Sequence, residues 1–320
     1  MNDDIKYIIF GVTFQPATVM WNEVIHDKNL THFDYPFKIK HITGFYNRLN
    51  IRSRVYKYLL KELPSTYDDK VIFIYRNPWP AFMAENGIVR FLRKQYPQSM
   101  HVALFGDVHA ARAVNMEYLK AQYDSISIYD EEEAKNLGID YFPAFYSKNF
   151  ETPDERDEIY DLSFAGQAKN RLSEIIKVYE WAMGLGLKCN FYIVGAKKSQ
   201  QAYADDIHYS DVFIDEHTYF EQYIKSSKCL LELTLYQTHA ITARVREAIV
   251  YDKKVLSNNE MIAYYPFYNP NMMKIYRDIN EVQRDFFYTS KVSYGYHGEF
   301  SPRTYLQELE RQFYSIRKER

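Results

Sequence analysis

The chain has 320 residues, 47% of them hydrophobic and 26% charged, and 40 Lys and Arg stand against 42 Asp and Glu for a formal net charge of -2. That is the composition of an ordinary soluble globular protein, long enough for two domains at roughly 150 residues each. It lacks the basic excess of a dedicated nucleic-acid binder, so no nucleic-acid partner is expected.

Cys189 and Cys229 both sit inside apolar runs and read as buried thiols of a reducing compartment, not as a disulfide framework or a metal site. The start, Met1-Asn-Asp-Asp-Ile-Lys, has acidic residues where a signal peptide needs positive charge. No run approaches the ~20 apolar residues of a spanning helix. The expected location is therefore cytoplasmic, with peripheral membrane contact left open. The 31 tyrosines and 21 phenylalanines identify no function by themselves, because cores use aromatic rings as readily as sugar sites do.

In chain order, apolar runs at 7–10, 71–75, 101–105 and 125–129 read as strands. Segments at 53–63, 83–95 and 110–122 carry helical spacing between them. The charged, proline-containing stretch 149–158 has too little apolar content for a core element and reads as a linker. The alternation then restarts with a strand at 160–165, a turn at Gly166 and a helix near 170–183. In that helix Leu172, Ile175, Ile176, Tyr179 and Met183 share one stripe, and Gly184 or Gly186 can close it. Strands at 188–194 and 212–214, a helix near 218–226 and a strand at 229–235 follow. A polar-rich helix at 303–318 ends the chain. Two successive α/β halves predict two Rossmann-like domains with mostly parallel sheets, facing across a cleft. In such sheets ligands sit beyond the carboxyl ends of the strands.

The stretch Gln237-Thr-His-Ala-Ile-Thr-Ala-Arg-Val-Arg-Glu-Ala248 follows one of these strands and opens a helix. A polar loop entering a helix N-terminus can hold a phosphate through backbone N–H groups and the helix dipole. Arg244 and Glu247, three apart, project from one face. One suits a diphosphate as a bidentate cation and the other suits ribose hydroxyls. Arg246 lies nearly opposite Arg244 around the helix, so both cannot face one phosphate. The alternative for Arg244 and Glu247 is a plain ion pair on a wet helix face.

The second half resembles the C-terminal domain of GT-B glycosyltransferases, in particular bacterial lipopolysaccharide or capsular polysaccharide biosynthesis members and the related spore-coat glycosyltransferase-like family. Three stretches carry the likeness: Asp161-Leu-Ser-Phe-Ala-Gly-Gln-Ala-Lys-Asn-Arg-Leu172, Tyr219-Phe-Glu-Gln-Tyr-Ile-Lys-Ser-Ser-Lys-Cys-Leu-Leu231, and Ile241-Thr-Ala-Arg-Val-Arg-Glu-Ala248 continuing to Lys253-Lys-Val-Leu-Ser-Asn-Asn259. In the first half, Tyr123-Asp-Ser-Ile-Ser-Ile-Tyr-Asp-Glu-Glu-Glu-Ala-Lys-Asn-Leu-Gly138 is similar to the family's last N-domain strand. The resemblance implies a GT-B-like α/β fold with an acceptor-side domain at 1–153 and a nucleotide-sugar domain at 154–301. It also implies a helix at 302–320 crossing back to the first domain. Two departures stand out. His239 occupies the place of the first of two family glutamates eight positions apart, so a retaining outcome is not implied. Ala240 replaces the small glycine before the Leu-Thr pair, which narrows backbone approach to phosphate.

Transfer from a nucleotide sugar needs a grip on the nucleotide, charge for the departing diphosphate and a base for the acceptor hydroxyl. By resemblance the donor is a nucleotide-diphosphate sugar, UDP-linked, and the acceptor a glycan or lipid-linked glycan. No further cofactor is expected. Gly166, Lys169, Arg171, Thr242, Arg244 and Glu247 are the binding candidates. No metal is expected, because no Asp-x-Asp motif ends a strand and arginines can neutralise the diphosphate. Asp107, His109 and His239 are the catalytic candidates. For Asp107 the alternative is an N-cap of the helix after it, and for His109 a structural histidine. Thr13, Gln15, Asn77 and Trp79 are candidate lining residues, with simple packing the alternative for Trp79. Arg311, Arg317, Lys318 and Arg320 at the C-terminus could meet anionic lipid headgroups or form a solvated helix face. Two other functions fit the same features: a non-catalytic scaffold of this fold, favoured by His239, and a nucleotide-sugar epimerase.

Overall fold

The computed structural model describes residues 4–11, 15–33 (backbone only for 15–19), 63, 70–76, 79–143, 145–234 and 241–318. The helix expected at 53–63, apart from Leu63, lies outside these residues, as do Thr13, Asn77 and His239; Gln15 is described by its backbone alone. The chain divides into two compact units, one of Met1–Asn149 with Gly298–Arg320 and one of Phe150–His297.

The first unit is built on β1 (Ile5–Phe10), β2 (Leu30–Phe33), β3 (Lys70–Arg76), β4 (Met100–Phe105), β5 (Ser125–Ile128) and β6 (Asp140–Tyr141). They pair in parallel in the order β2-β1-β3-β4-β5-β6. A parallel sheet is covered on both faces, so its central strands read as unbroken apolar runs. On one face Phe10, Phe73, Tyr75 and Phe105 pack under α2 (Trp79–Glu85) and α3 (Ile88–Gln95). On the other, Ile9, Ile74 and Leu104 meet Trp21 of α1 (Gln15–Ile25) and Tyr305, Leu306, Leu309 and Phe313 of a C-terminal helix (Pro302–Lys318). The C-terminal helix thus returns to the first sheet, as the resemblance implies.

Two long helices expected here are each broken. Gly87, at φ 71, parts α2 from α3, because the left-handed conformation costs glycine nothing and cannot continue a helix. The segment at 110–122 is α4 (Val108–Arg112) and α5 (Met116–Lys120). Asn115 adopts an extended backbone between them and accepts the Tyr118 N–H, which starts a new helix. A further helix, α6 (Glu131–Leu137), leads to β6. His101, fully buried in β4, sits between the Tyr75 hydroxyl at 2.8 Å and Ser99 Oγ at 2.9 Å. Burial holds its pKa well below the usual value, so it is a neutral core histidine.

The second unit repeats the plan with β7 (Tyr160–Gln167), β8 (Cys189–Val194), β9 (His208–Ser210), β10 (Ser227–Glu232), β11 (Lys254–Ser257) and β12 (Met273–Ile275). The order is β12-β11-β10-β7-β8-β9, again parallel. Between β7 and β8, α7 (Leu172–Gly184) buries Ile175, Val178 and Tyr179, and Gly186 at φ 67 follows its end. Met183, expected on this stripe, is 49% exposed, because the buried face runs through Ile175, Val178, Tyr179 and Ala182 and Met183 lies to one side of it. The strand expected at 212–214 does not form. Ser210 Oγ takes the Val212 N–H at 3.1 Å and turns the chain out of the ladder, leaving Val212 and Phe213 exposed. The next helix, α8 (Glu216–Tyr219), is capped by Asp215 and runs on as a π-turn at Phe220–Lys225.

At the end of the charged stretch, Glu158 is no solvated linker residue. Its carboxylate is buried against Lys253 Nζ at 2.6 Å and Lys291. Cys189 and Cys229 are both free thiols, the second fully buried. Desolvation pushes the first up to about 12 and the second higher still. No helix among the described residues is long and apolar enough to cross a membrane.

Candidate functional site

In the second sheet the chain moves from β7 outward to β8 and β9, then crosses to the other side of β7 for β10, β11 and β12. Loops therefore diverge above the carboxyl ends of β7 and β10, the switch point where open α/β sheets receive ligands. The residues gathered there come from three places: the end of β7, the turn into α7, and α9 (Ala243–Val250), which follows β10.

Arg244 lies in the first turn of α9. Its Nη2 donates to the Ala165 carbonyl at 2.7 Å and its Nη1 to Glu247 Oε2 at 2.6 Å. Tyr219 closes the group, donating its hydroxyl to the same Glu247 oxygen at 2.6 Å while its ring lies 5.0 Å from the guanidinium. Arg171, just before α7, donates Nε to the Gln167 carbonyl at 3.2 Å and Nη1 to the Leu233 carbonyl, so it spans the ends of β7 and β10. A Cβ on Gly166 would stand 3.2 Å from Phe164 Cζ and 3.5 Å from Arg171 Nη2. The glycine thus lets this guanidinium lie close over the strand end. Burial, and then the neighbouring charge of Arg244, lower the Arg171 pKa, with Glu232 acting against them. Two guanidiniums in mutual repulsion at a switch point make a place where an anion is favoured.

Beneath them Glu232, the last residue of β10, is 2% exposed. It accepts the Ser257 hydroxyl at 2.5 Å and the hydroxyl of Thr242. Burial drives its pKa up, opposed by those hydrogen bonds and by the charge of Arg246. Thr242 therefore spends its hydroxyl on the strand below and does not cap α9. Arg246 is buried, its charge felt by Glu232, while Arg244 faces the strand end and Glu247; the two point to different sides as the spacing predicts. Among the described residues three arginines meet two carboxylates here, and burial raises the Glu232 pKa. The balance is positive.

The structure thus brings Gly166, Arg171, Thr242, Arg244 and Glu247 to one strand end. Lys169, exposed and at φ 44, lines a groove of about 510 Å³ along α7 with Asn170, Ser173 and Lys177. In the other unit, Asp107 follows β4 and its Oδ1 accepts the Ala110 N–H at 2.9 Å, so it caps α4. His109 stands exposed in the same helix, which sets aside a buried structural role. His239 lies outside the described residues. Trp79 packs over Gly11 and edge-on to Phe82, so it is filled by packing. Sequence reasoning missed Tyr219 and Glu232. Glu232 had a signal, a carboxylate inside an apolar strand run, which demands buried partners.

No protein-family model matches the sequence, and no curated protein matches it. Solved structures do match. The chain is similar to the catalytic domain of starch synthase IV from Arabidopsis thaliana bound to ADP and acarbose, with 7% identity, 82% of this chain and 76% of that chain covered, and a TM-score of 0.53. It is also similar to Anabaena Alr3699/HepE in complex with UDP and glucose, with 9% identity, coverage of 86% and 87%, and a TM-score of 0.51. At such identity the likeness is one of fold. The two six-stranded parallel sheets have the GT-B-like α/β architecture that the sequence resemblance implies.

Proposed function

We propose that the chain is a glycosyltransferase that moves a sugar from a nucleotide-diphosphate donor, UDP-linked, to a glycan or lipid-linked acceptor of polysaccharide or lipopolysaccharide assembly. One observation carries this: the Arg171 and Arg244 guanidiniums converge at the switch point of the second sheet, beside the N-terminus of α9. The departing diphosphate gains charge as the glycosidic bond breaks, and fixed cations aimed at it stabilise that state more than the bound donor. The ribose hydroxyls would exchange with the Tyr219 hydroxyl on Glu247. Both structural neighbours were solved with a nucleoside diphosphate and a sugar or sugar analogue, which supports a donor of this class. Asp107, His109 or His239 would take the acceptor proton. Of these Asp107 is already engaged as a cap, which favours the histidines.

The Arg244–Glu247–Tyr219 group also satisfies itself, and that favours a second reading, a non-catalytic scaffold of the same fold. A thermal-shift panel of nucleoside diphosphates separates the two. The transferase reading predicts stabilisation by UDP, with affinity falling about 10–100-fold in Arg244→Met, since one hydrogen bond to a charged group is worth about 1.5–3 kcal/mol. Glu247→Ala should weaken UDP comparably and leave free diphosphate binding largely intact. No response to any nucleotide supports the scaffold. Conversion of a nucleotide sugar with no acceptor present identifies an epimerase instead.

A further inference from the structure

The first sheet has a switch point of its own, between β1 and β3, because β2 lies on one side of β1 and the later strands on the other. Arg76 ends β3 at that point. Among the described residues its hydrogen bond is from Nη1 to the Gly11 carbonyl, just past β1, at a long 3.3 Å. Among the described residues no carboxylate balances it; the neighbour that its charge feels is the Tyr305 hydroxyl, itself bound to Ser127 Oγ at 3.2 Å. Burial pulls the guanidinium down to about 10, so it is still charged at neutral pH. Trp21 adjoins the same tyrosine, with ring centroids 6.3 Å apart, and its buried Nε1–H has no hydrogen-bond partner among the described residues.

Two buried lysines among the described residues are matched. Lys253 meets Glu158, and Lys254 donates to the Phe286 carbonyl and to the carbonyl and hydroxyl of Thr289. Buried charge is ordinarily paired, and a guanidinium at a strand end whose acceptor is one distant carbonyl is complementary to an anion. Arg76 as a residue is half-buried, so part of its side chain meets the surface.

We propose that the first unit binds an oxyanion, a carboxylate or phosphate carried by the acceptor, on Arg76 at its switch point. The planar guanidinium fork fits either group through two parallel hydrogen bonds. That the anion belongs to an acceptor rests on the transferase reading; the oxyanion site itself does not.

The test uses the full chain in an Arg244→Met background, so that the second sheet's pair does not dominate the response. Inorganic phosphate and glucuronate are titrated by thermal shift. One or both should raise Tm by roughly 5 °C at 100-fold over Kd. Adding Arg76→Met should abolish that rise while leaving the anion-free Tm equal or higher, because an apolar chain replaces an unbalanced charge. Arg76→Lys keeps the charge without the fork and should weaken binding about tenfold. The stronger of the two anions identifies phosphate or carboxylate as the acceptor group. An undiminished rise in Arg76→Met overturns the proposal, as does the absence of any rise in the parent. If Arg76→Met does not fold, a parent-like response in Arg76→Lys overturns it. UDP should stabilise Arg76→Met as it does the unsubstituted chain. Failure of UDP to bind the latter removes the transferase reading and leaves the oxyanion site standing.

Discussion

Arg244 and Glu247 are held in place before any ligand arrives. The Tyr219 hydroxyl and the Ala165 carbonyl fix the carboxylate and the guanidinium at 2.6 and 2.7 Å, so a diphosphate would meet a fork already oriented. Lys253 shows the opposite use of a buried charge. It is 1% exposed, and burial lowers its pKa from 10.5 to about 8 against the pull of Glu158. Below pH 8 folded and unfolded chains both hold the proton, and the cost of the buried cation is fully present. Between pH 8 and 10.5 the folded chain has released a proton that the unfolded chain keeps, so this group's contribution to stability rises with pH. Urea midpoints at pH 7.5 and 9.5 should therefore show the unsubstituted chain gaining about 1–3 kcal/mol on Lys253→Met over that interval. A constant difference would show that Lys253 titrates normally.

At the scale of elements, the inner strands were plain in the sequence because both faces of a parallel sheet are covered, which makes β3, β4 and β10 continuous apolar runs. Strands β2, β6, β9 and β12, which no run announced, are the edges of the two sheets. Edge strands are short and carry polar residues such as Thr31, Asp140, His208 and Lys274, so periodicity cannot find them. The broken helices were missed for a different reason: apolar spacing passes unchanged through Gly87 and Asn115 while the backbone does not. At the site, Arg244 and Glu247 were legible from a spacing within one helix. Tyr219 and Glu232 act through partners on other elements, which local spacing cannot show. Glu232 ties the end of β10 to the start of α9 and to β11 through Thr242 and Ser257. Glu232→Ala leaves two hydroxyls and the Arg246 charge buried without it and should cost about 3–5 kcal/mol of stability, read as a lower urea midpoint. A loss under 1 kcal/mol would mean that the carboxylate is incidental to how α9 is seated.

For the molecule as a whole, each unit has a parallel sheet, a switch point and an arginine at that point. The first unit is not continuous in sequence. Its Trp21-side face is finished by residues that follow the second unit, with Tyr305, Leu306, Leu309 and Phe313 closing it. Truncation after His297 should therefore speed hydrogen exchange in β1, β3 and β4 by orders of magnitude while β7, β8 and β10 keep their protection. Equal loss in both sheets would contradict the division of the core.

The central claim is that a nucleoside diphosphate is held at the switch point of the second sheet. A crystal structure of the UDP complex tests it most directly. The diphosphate should lie within hydrogen-bond reach of Arg244 and Arg171, with a ribose hydroxyl on Glu247. A diphosphate bound elsewhere, with the Arg244–Glu247–Tyr219 group unchanged beside solvent, would contradict it.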